Sequence, residues 1–214
     1  MKRFYFLAFA LLLTITMSAQ NRGLLLKENF DSTEIPEGWY IDEHADNWSI
    51  STSAKSGGVP NEICMNWAPE FNGTTRLVMP AFDFTDVDEV VVSFKHYHDN
   101  YIGENTIGIA TSSDGGATWN SGWEQTYITI DAYVESHTIK TSDMGKPNVL
   151  MCIYFTGNSY LVNNWYFDDI EVYTLDQLNL SMLSVNFPNI VGIEDNQVGF
   201  KVQNIGVENI SSFE

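Results

Sequence analysis

The sequence predicts an all-β protein built as a two-sheet sandwich, and three observations carry that reading. Helical periodicity is almost absent after Ala19. What recurs instead is short alternating runs rich in Val, Ile, Thr, Tyr, Phe and Trp, separated by Gly, Asn, Asp, Ser and Pro. The longest such run, Asn163–Tyr173, has a counterpart near the start, Leu26–Asp31, which alternates in the same way and also carries acids. These two stretches are expected to pair as neighbouring strands that close the sandwich.

Taken in order, Met1–Ala19 has the form of a secretory signal. Lys2 and Arg3 supply the charged start, Phe4–Met17 the apolar stretch, and Ser18-Ala19 a small-residue cleavage edge. The apolar stretch falls short of the roughly 20 residues a spanning helix needs, so no membrane insertion of the mature chain is expected. Candidate strands follow at Leu24–Phe30, Trp48–Ser51, Glu62–Trp67, Thr75–Met79, Glu89–His98, Ile107–Ser112, Tyr127–Ile130, Glu135–Lys140, Val149–Phe155 and Asn164–Tyr173. Between the first two, Ile35-Pro36-Glu37-Gly38-Trp39 reads as a turn followed by an aromatic plug. Pro80 ends the run that begins at Thr75, as a residue without an N–H donor would. One domain over 20–173 accounts for all of these strands. Residues 174–177 form a connector. Beyond it, Leu178–Val185 and Gln197–Asn204 read as two further strands, in a segment too short to bury its own core. Residues 178–214 are therefore expected to be the front of a second β-sandwich that continues past Glu214.

Charge narrows the partners. Removing Lys2 and Arg3 takes the formal net charge from −18 to −20. Nucleic acid needs a basic footprint, and anionic membranes would be repelled, so neither is an expected partner. A composition of 44% hydrophobic and 14% aromatic residues excludes a disordered chain. The two cysteines, Cys64 and Cys152, each lie in a strand-like run. A disulfide and two buried free thiols are both open readings.

The closing run carries the sharpest chemistry. Strict alternation puts Tyr166, Asp168, Ile170 and Val172 on one face, and Trp165, Phe167, Asp169, Glu171 and Tyr173 on the other. One of two adjacent carboxylates must then face inward, which is costly without a cation or strong hydrogen bonds. If the terminal strands pair, Glu28 and Asp31 approach Asp168 and Asp169. That set suits Ca²⁺, which takes about six to eight oxygen ligands. Capping of turns by the same acids is the alternative.

Other motifs are weighed against structural roles. Ser112-Ser113-Asp114-Gly115-Gly116-Ala117-Thr118-Trp119 fits the Asp-box S-x-D-x-G-x-T-W, a hairpin turn in which Asp114 accepts backbone amides. A single copy reads as structural. His96 and His98 share a strand face, but a zinc site wants about three or four ligands, and His44 and His137 stand apart in the chain. Flat aromatic rings at a sandwich rim suit sugars, and Trp39, Trp67, Tyr160 and Trp165 are the candidate ligand contacts among a set that otherwise belongs to the core. No G-x-S-x-G, H-E-x-x-H or papain-type cysteine motif occurs. The chain reads as a binding protein and not an enzyme.

Several of these stretches, in the same order, resemble one family. Glu28-Asn29-Phe30-Asp31 with Ile35-Pro36-Glu37-Gly38-Trp39, Thr75–Asp83 with Val92-Ser93-Phe94, the Asp-box hairpin and Trp165–Ile170 are similar to the cleaved-adhesin and MAM-like modules of secreted Bacteroidetes proteins. The resemblance implies a jelly-roll β-sandwich with structural calcium, at Glu28, Asp31, Asp168 and Asp169 here. It also implies adhesion to, or binding of, an extracellular glycan or protein at the cell surface. The segment from Leu178 is similar to the Ig-like modules that follow such domains. The alternative expectation is a non-catalytic accessory region of a larger secreted peptidase or glycoside hydrolase.

Overall fold

The computed structural model describes residues 23–127, 130–175, 180–186 and 199–204. The expected signal segment Met1–Ala19 lies outside them, as do 176 and 177 of the expected connector.

Eleven strands form two antiparallel sheets: β1 Gly23–Glu28, β2 Tyr40–Asp42, β3 Trp48–Ser51, β4 Glu62–Asn66, β5 Asn72–Val78, β6 Val90–Asn100, β7 Asn105–Ser112, β8 Asn120–Tyr127, β9 Ile130–Ile139, β10 Leu150–Asn158 and β11 Val162–Thr174. One sheet runs β3-β4-β11-β6-β9, with β1 added to β11, and the other runs β2-β5-β10-β7-β8. The architecture is the jelly-roll β-sandwich that the resemblance implies. Two further strands, β12 Leu180–Asn186 and β13 Gly199–Asn204, pair antiparallel as a separate sheet, close to the two strands expected there.

The inward positions of both sheets meet in one core. Ile63, Met65, Phe94, Trp165 and Phe167 come from the six-stranded sheet, and Leu77, Ile107, Ile109, Ile153 and Phe155 from the five-stranded one. Period-two alternation explains why these residues and not their neighbours are inside. The expected pairing of the terminal strands holds, with Glu28 opposite Ile170 and Lys27 opposite Glu171. β11 is the organising strand. Its first half pairs with β4, its second half with β1, and most of its other edge with β6.

The structure corrects two expectations and settles a third point that the sequence left open. The candidate strand Tyr127–Ile130 is corrected at its ends: Tyr127 closes β8 and Ile130 opens β9, and 128 and 129 lie outside the described residues. β8 escapes sequence detection because Asn120-Ser121-Gly122-Trp123-Glu124-Gln125 is a polar edge strand with little apolar alternation. Strict alternation through β11 also fails. Its register against β6 shifts between Asp168 and Glu171, and Asp169 takes a positive φ of 48°. This bulge flips the strand's facing, so the core set is Trp165, Phe167, Ile170 and Val172. Both cysteines are buried and free. Cys64 alternates with core-facing Ile63 and Met65, so it lies on the outer side of its sheet. Cys152 lies with Val78, Ala110 and Tyr154 in a separate cluster outside the other sheet, so the two thiols are on opposite sides of the sandwich.

Candidate functional site

Of the four acids predicted as metal ligands, Glu28 and Asp31 lie at and just past the end of β1, and Asp168 and Asp169 lie at the bulge of β11. Asp168 is fully buried, but on the outer side of the six-stranded sheet beneath the loop between β3 and β4. Gly58 of that loop approaches so closely that a Cβ there would overlap the Asp168 carboxylate. The loop is tied down by Glu62, itself fully buried. One of its carboxylate oxygens accepts from the Ser53 hydroxyl and, at 2.7 Å, the Lys55 amide. The other accepts from the Ser56 hydroxyl and, at 2.9 Å, the Ser56 amide. Lys55 in turn lies 5.8 and 6.0 Å from the ring centroids of Tyr166 and Tyr97.

Within this pocket Asp168 Oδ1 accepts the Asp169 amide at 2.7 Å, while Oδ2 is buried with no hydrogen-bond partner. Burial pushes the Asp168 carboxyl up to about 6. The other three acids are engaged separately. Glu28 Oε1 accepts the amides of Asn29 and Phe30, at 3.0 and 2.8 Å. Asp31 accepts the Asn29 side-chain amide, and Asp169 pairs with Lys95 at 2.6 Å. Among the described residues, no three His, Cys, Asp or Glu side chains are grouped closely enough to hold a metal by themselves. A cation here would take Asp168 as its charged ligand and draw on backbone oxygens for much of its shell, which calcium tolerates.

The aromatic candidates divide. Trp39 and Trp165 are corrected: both are core residues. Trp39 is 7% exposed and packs edge-on against Phe30 with ring centroids 5.3 Å apart. Trp165 is fully buried, lies 4.0 Å from Phe167, and donates its indole N–H to His96 Nδ1 at 3.2 Å. Apolar alternation next to a bulge put Trp165 in the core, and a turn folded Trp39 over the sheet end. Trp67 and Tyr160, by contrast, are 43% and 46% exposed and touch edge to face. Tyr101, which sequence reasoning did not place among the ligand contacts, joins them. His96 and His98 are both fully buried among the aromatics of β11.

Sequence reasoning missed a third region, a cleft of about 200 Å³ on the outer face of the five-stranded sheet. Three of its lining residues, Arg76, Tyr154 and Glu124, belong to a row of cross-strand partners. Asp42 lies opposite Arg76, Arg76 opposite Tyr154, Tyr154 opposite Gly108 and Gly108 opposite Glu124. The row takes one residue from every strand of the sheet. Arg76 Nη1 donates to Asp42 Oδ2 at 2.9 Å, and the Tyr154 hydroxyl donates to Glu124 Oε2 at 2.8 Å. Gly108 makes the second bond possible. A Cβ at that position would stand 2.6 Å from the Tyr154 ring, which crosses over β7 to reach β8.

The Asp-box hairpin supplies the end of the cleft. Asp114 accepts the Thr118 amide at 2.9 Å and the Thr118 hydroxyl at 2.6 Å, and these bonds hold its carboxyl down at about 2. Gly115 and Gly116, with φ of 74° and 88°, make the turn. The hairpin sets the ring centroid of Trp119 5.2 Å from the Arg76 guanidinium carbon. Thr74, Ala110, Ser121 and Thr156 complete the lining.

These features define a two-sheet jelly roll with a cleft on the outer face of one sheet and exposed aromatic rings at one end. No family model matches the chain, and no curated protein matches it in sequence. Solved structures do match in fold. The K1 cleaved adhesin domain of Lys-gingipain from Porphyromonas gingivalis superposes with a TM-score of 0.51 at 14% identity, covering 69% of this chain and 96% of that one. The C-terminal family 22 carbohydrate binding module of Clostridium thermocellum xylanase 10B gives 0.50 at 10% identity, over 73% and 97%. An N-terminal fragment of that xylanase, containing a family 22 module and its catalytic module, complexed with xylohexaose, gives 0.50 at 11% identity, over 81% of this chain and 30% of that one. Among the described residues no helix is long and apolar enough to cross a membrane.

Proposed function

We propose that this chain is an exported, non-catalytic binding module, and that its ligand is a neutral extracellular glycan lying in the cleft of the five-stranded sheet. The row Asp42–Arg76–Tyr154–Gly108–Glu124 carries this reading. Sugar hydroxyls donate and accept at once, and the row offers both: guanidinium N–H donors beside carboxylate acceptors, with hydroxyls of Thr74 and Thr156 alongside. Trp119 supplies apolar surface for a ring. Arg76 is already matched by Asp42, and Glu124 adds a further negative charge, so an anionic glycan is disfavoured. The carbohydrate-binding modules among the fold's neighbours support the reading, and the cleaved adhesin domain fits a role in adhesion at the cell surface. A second reading, the accessory region of a larger secreted hydrolase, has the support of the xylanase, whose own module of this fold occupies part of a longer enzyme.

Calorimetry against a panel of soluble neutral glycans tests the cleft. Arg76→Ala and Glu124→Gln should each weaken binding by about tenfold, the loss of one hydrogen bond to a charged group, with circular dichroism unchanged. Absence of binding to every glycan, or binding indifferent to both substitutions, would sink the proposal.

Calcium belongs to the same proposal. The unpartnered, buried Asp168 Oδ2 is the atom that fits it, with Glu28 and Asp31 at the adjoining end of β1. Asp169 would join only if its pair with Lys95 opened. A cation that binds only the folded chain raises its stability by mass action. Thermal unfolding should therefore shift upward in calcium relative to chelator at matched ionic strength, and Asp168→Asn should abolish the shift. An unchanged response in that variant would remove Asp168 from the site.

A further inference from the structure

The aromatic rim has a chemistry of its own. Trp67 leaves β4, Tyr101 leaves β6, and Tyr160 stands in the turn that enters β11. β11 lies between β4 and β6 and runs antiparallel to both, so all three rings arrive at one end of the sandwich. They remain 43%, 59% and 46% exposed. Tyr160 meets Trp67 at a centroid distance of 5.8 Å and 88°, and Tyr101 at 5.6 Å and 82°. The rings are walls set at right angles, around a pocket of about 170 Å³ with Val162 and Asn163 in its lining.

The walls are held in place by backbone. Ser159 Oγ donates to the Trp67 carbonyl at 2.8 Å and accepts the Phe71 amide at 2.9 Å. The amides of Tyr101 and Ile102 both donate to the Leu161 carbonyl, and the Asn158 side chain accepts the Tyr160 amide at 2.8 Å. Set at right angles, the rings do not form one continuous platform for a flat sugar. They offer several electron-rich faces and edges around a small volume. No cationic side chain lines the pocket. Asn163 donates to Asp99 at 3.4 Å, so one carboxylate stands behind the lining, and Glu70 accepts at 3.3 Å from Asn158, whose side chain also holds the Tyr160 amide.

We propose that Trp67, Tyr101 and Tyr160 form an aromatic cage for a methylated ammonium group. Ring faces and a nearby carboxylate attract an organic cation, and desolvation by three rings strengthens the attraction. Methylation suits the mostly aromatic lining. A bare ammonium carries three strongly hydrated N–H donors that want acceptors, and the lining side chains supply these only through Asn163 and the two tyrosine hydroxyls. A trimethylammonium head needs none. The proposal goes beyond glycan binding in the cleft and does not rest on it.

Calorimetry and tryptophan fluorescence on the full chain, with choline against its neutral isostere 3,3-dimethylbutan-1-ol at matched ionic strength, provide the test. Choline should saturate and bind roughly tenfold tighter than the isostere, the scale of a desolvated cation–π contact. Tyr101→Ala, a change at the most exposed of the three rings, should abolish that difference, whereas Arg76→Ala in the cleft should preserve it. Replacing choline with free trimethyllysine tells a lysine-borne group from a headgroup-borne one. Equal binding of the isostere, no saturation by choline, or indifference to Tyr101→Ala overturns the cage.

Discussion

Two buried residues pull stability in opposite directions as pH changes. Burial raises the Asp168 carboxyl to about 6 from an ordinary 3.8, so the folded chain holds this proton more tightly than the unfolded one. The stability it lends is complete below the unfolded value and is lost as pH rises through about 6. His96 behaves inversely. Burial lowers its imidazole to about 4 from 6.5, against the opposing pull of Glu135. The unfolded chain takes that proton first, so stability falls as pH drops from 6.5 toward 4. The two effects oppose each other over the shared interval. Asp168→Asn removes one arm, and denaturant unfolding between pH 4 and 8 should then show a steeper acid loss than the parent chain does. A profile that does not change on substitution would contradict the burial of an ionisable Asp168. The sequence already indicated one buried aspartate in the closing run. It could not indicate that Asp168 would lie outside the sheet, because the bulge at Asp169 that resets the strand's facing leaves no mark in the alternation of residue types.

At the scale of elements, the loop between β3 and β4 is a strap over the outer face of the six-stranded sheet. Its two fixed points are Glu62, with four accepted hydrogen bonds, and Gly58 against Asp168. Gly58→Ala should cost about 1–3 kcal/mol in thermal or chemical unfolding, the usual penalty of overpacking. It should also blunt any calcium response although Asp168 is intact. Full stability with a normal response would mean that the strap does not press on Asp168. Elements differed in how well the sequence announced them. β3, β4 and β11 were legible because apolar alternation and β-branched or aromatic residues coincide there. β2, with three residues, and the polar edge strand β8 were not, since neither buries enough apolar surface to leave a period. The rim divided by the same logic. Trp67 and Tyr160 follow strand ends and stay exposed, while Trp39 and Trp165 disappear into the core.

For the molecule as a whole, the fold was open to sequence reasoning and the cleft was not. The sandwich follows from local periodicity. The row across the five-stranded sheet takes Asp42, Arg76, Gly108, Glu124 and Tyr154 from places far apart in the chain, and only strand register lines them up. No spacing rule connects them. Charge was legible at the global level and acquired detail in the structure. Lys27, Arg76, Lys95, Lys140 and Lys146 each lie within 4 Å of a carboxylate, which leaves the excess acid to dominate the surface.

The glycine at position 108 has a mechanical consequence. By letting Tyr154 reach over β7 to Glu124, it makes a tie that bypasses one strand and holds the edge strand β8 to β10, while Asp42–Arg76 holds the opposite edge strand β2 to β5. The sheet is thus hemmed on both sides by ties that the cleft residues Arg76, Tyr154 and Glu124 make. A saccharide laid along the row would cross the strands at right angles, like a batten across planks. Tension arriving through such a ligand would then be shared among the strands.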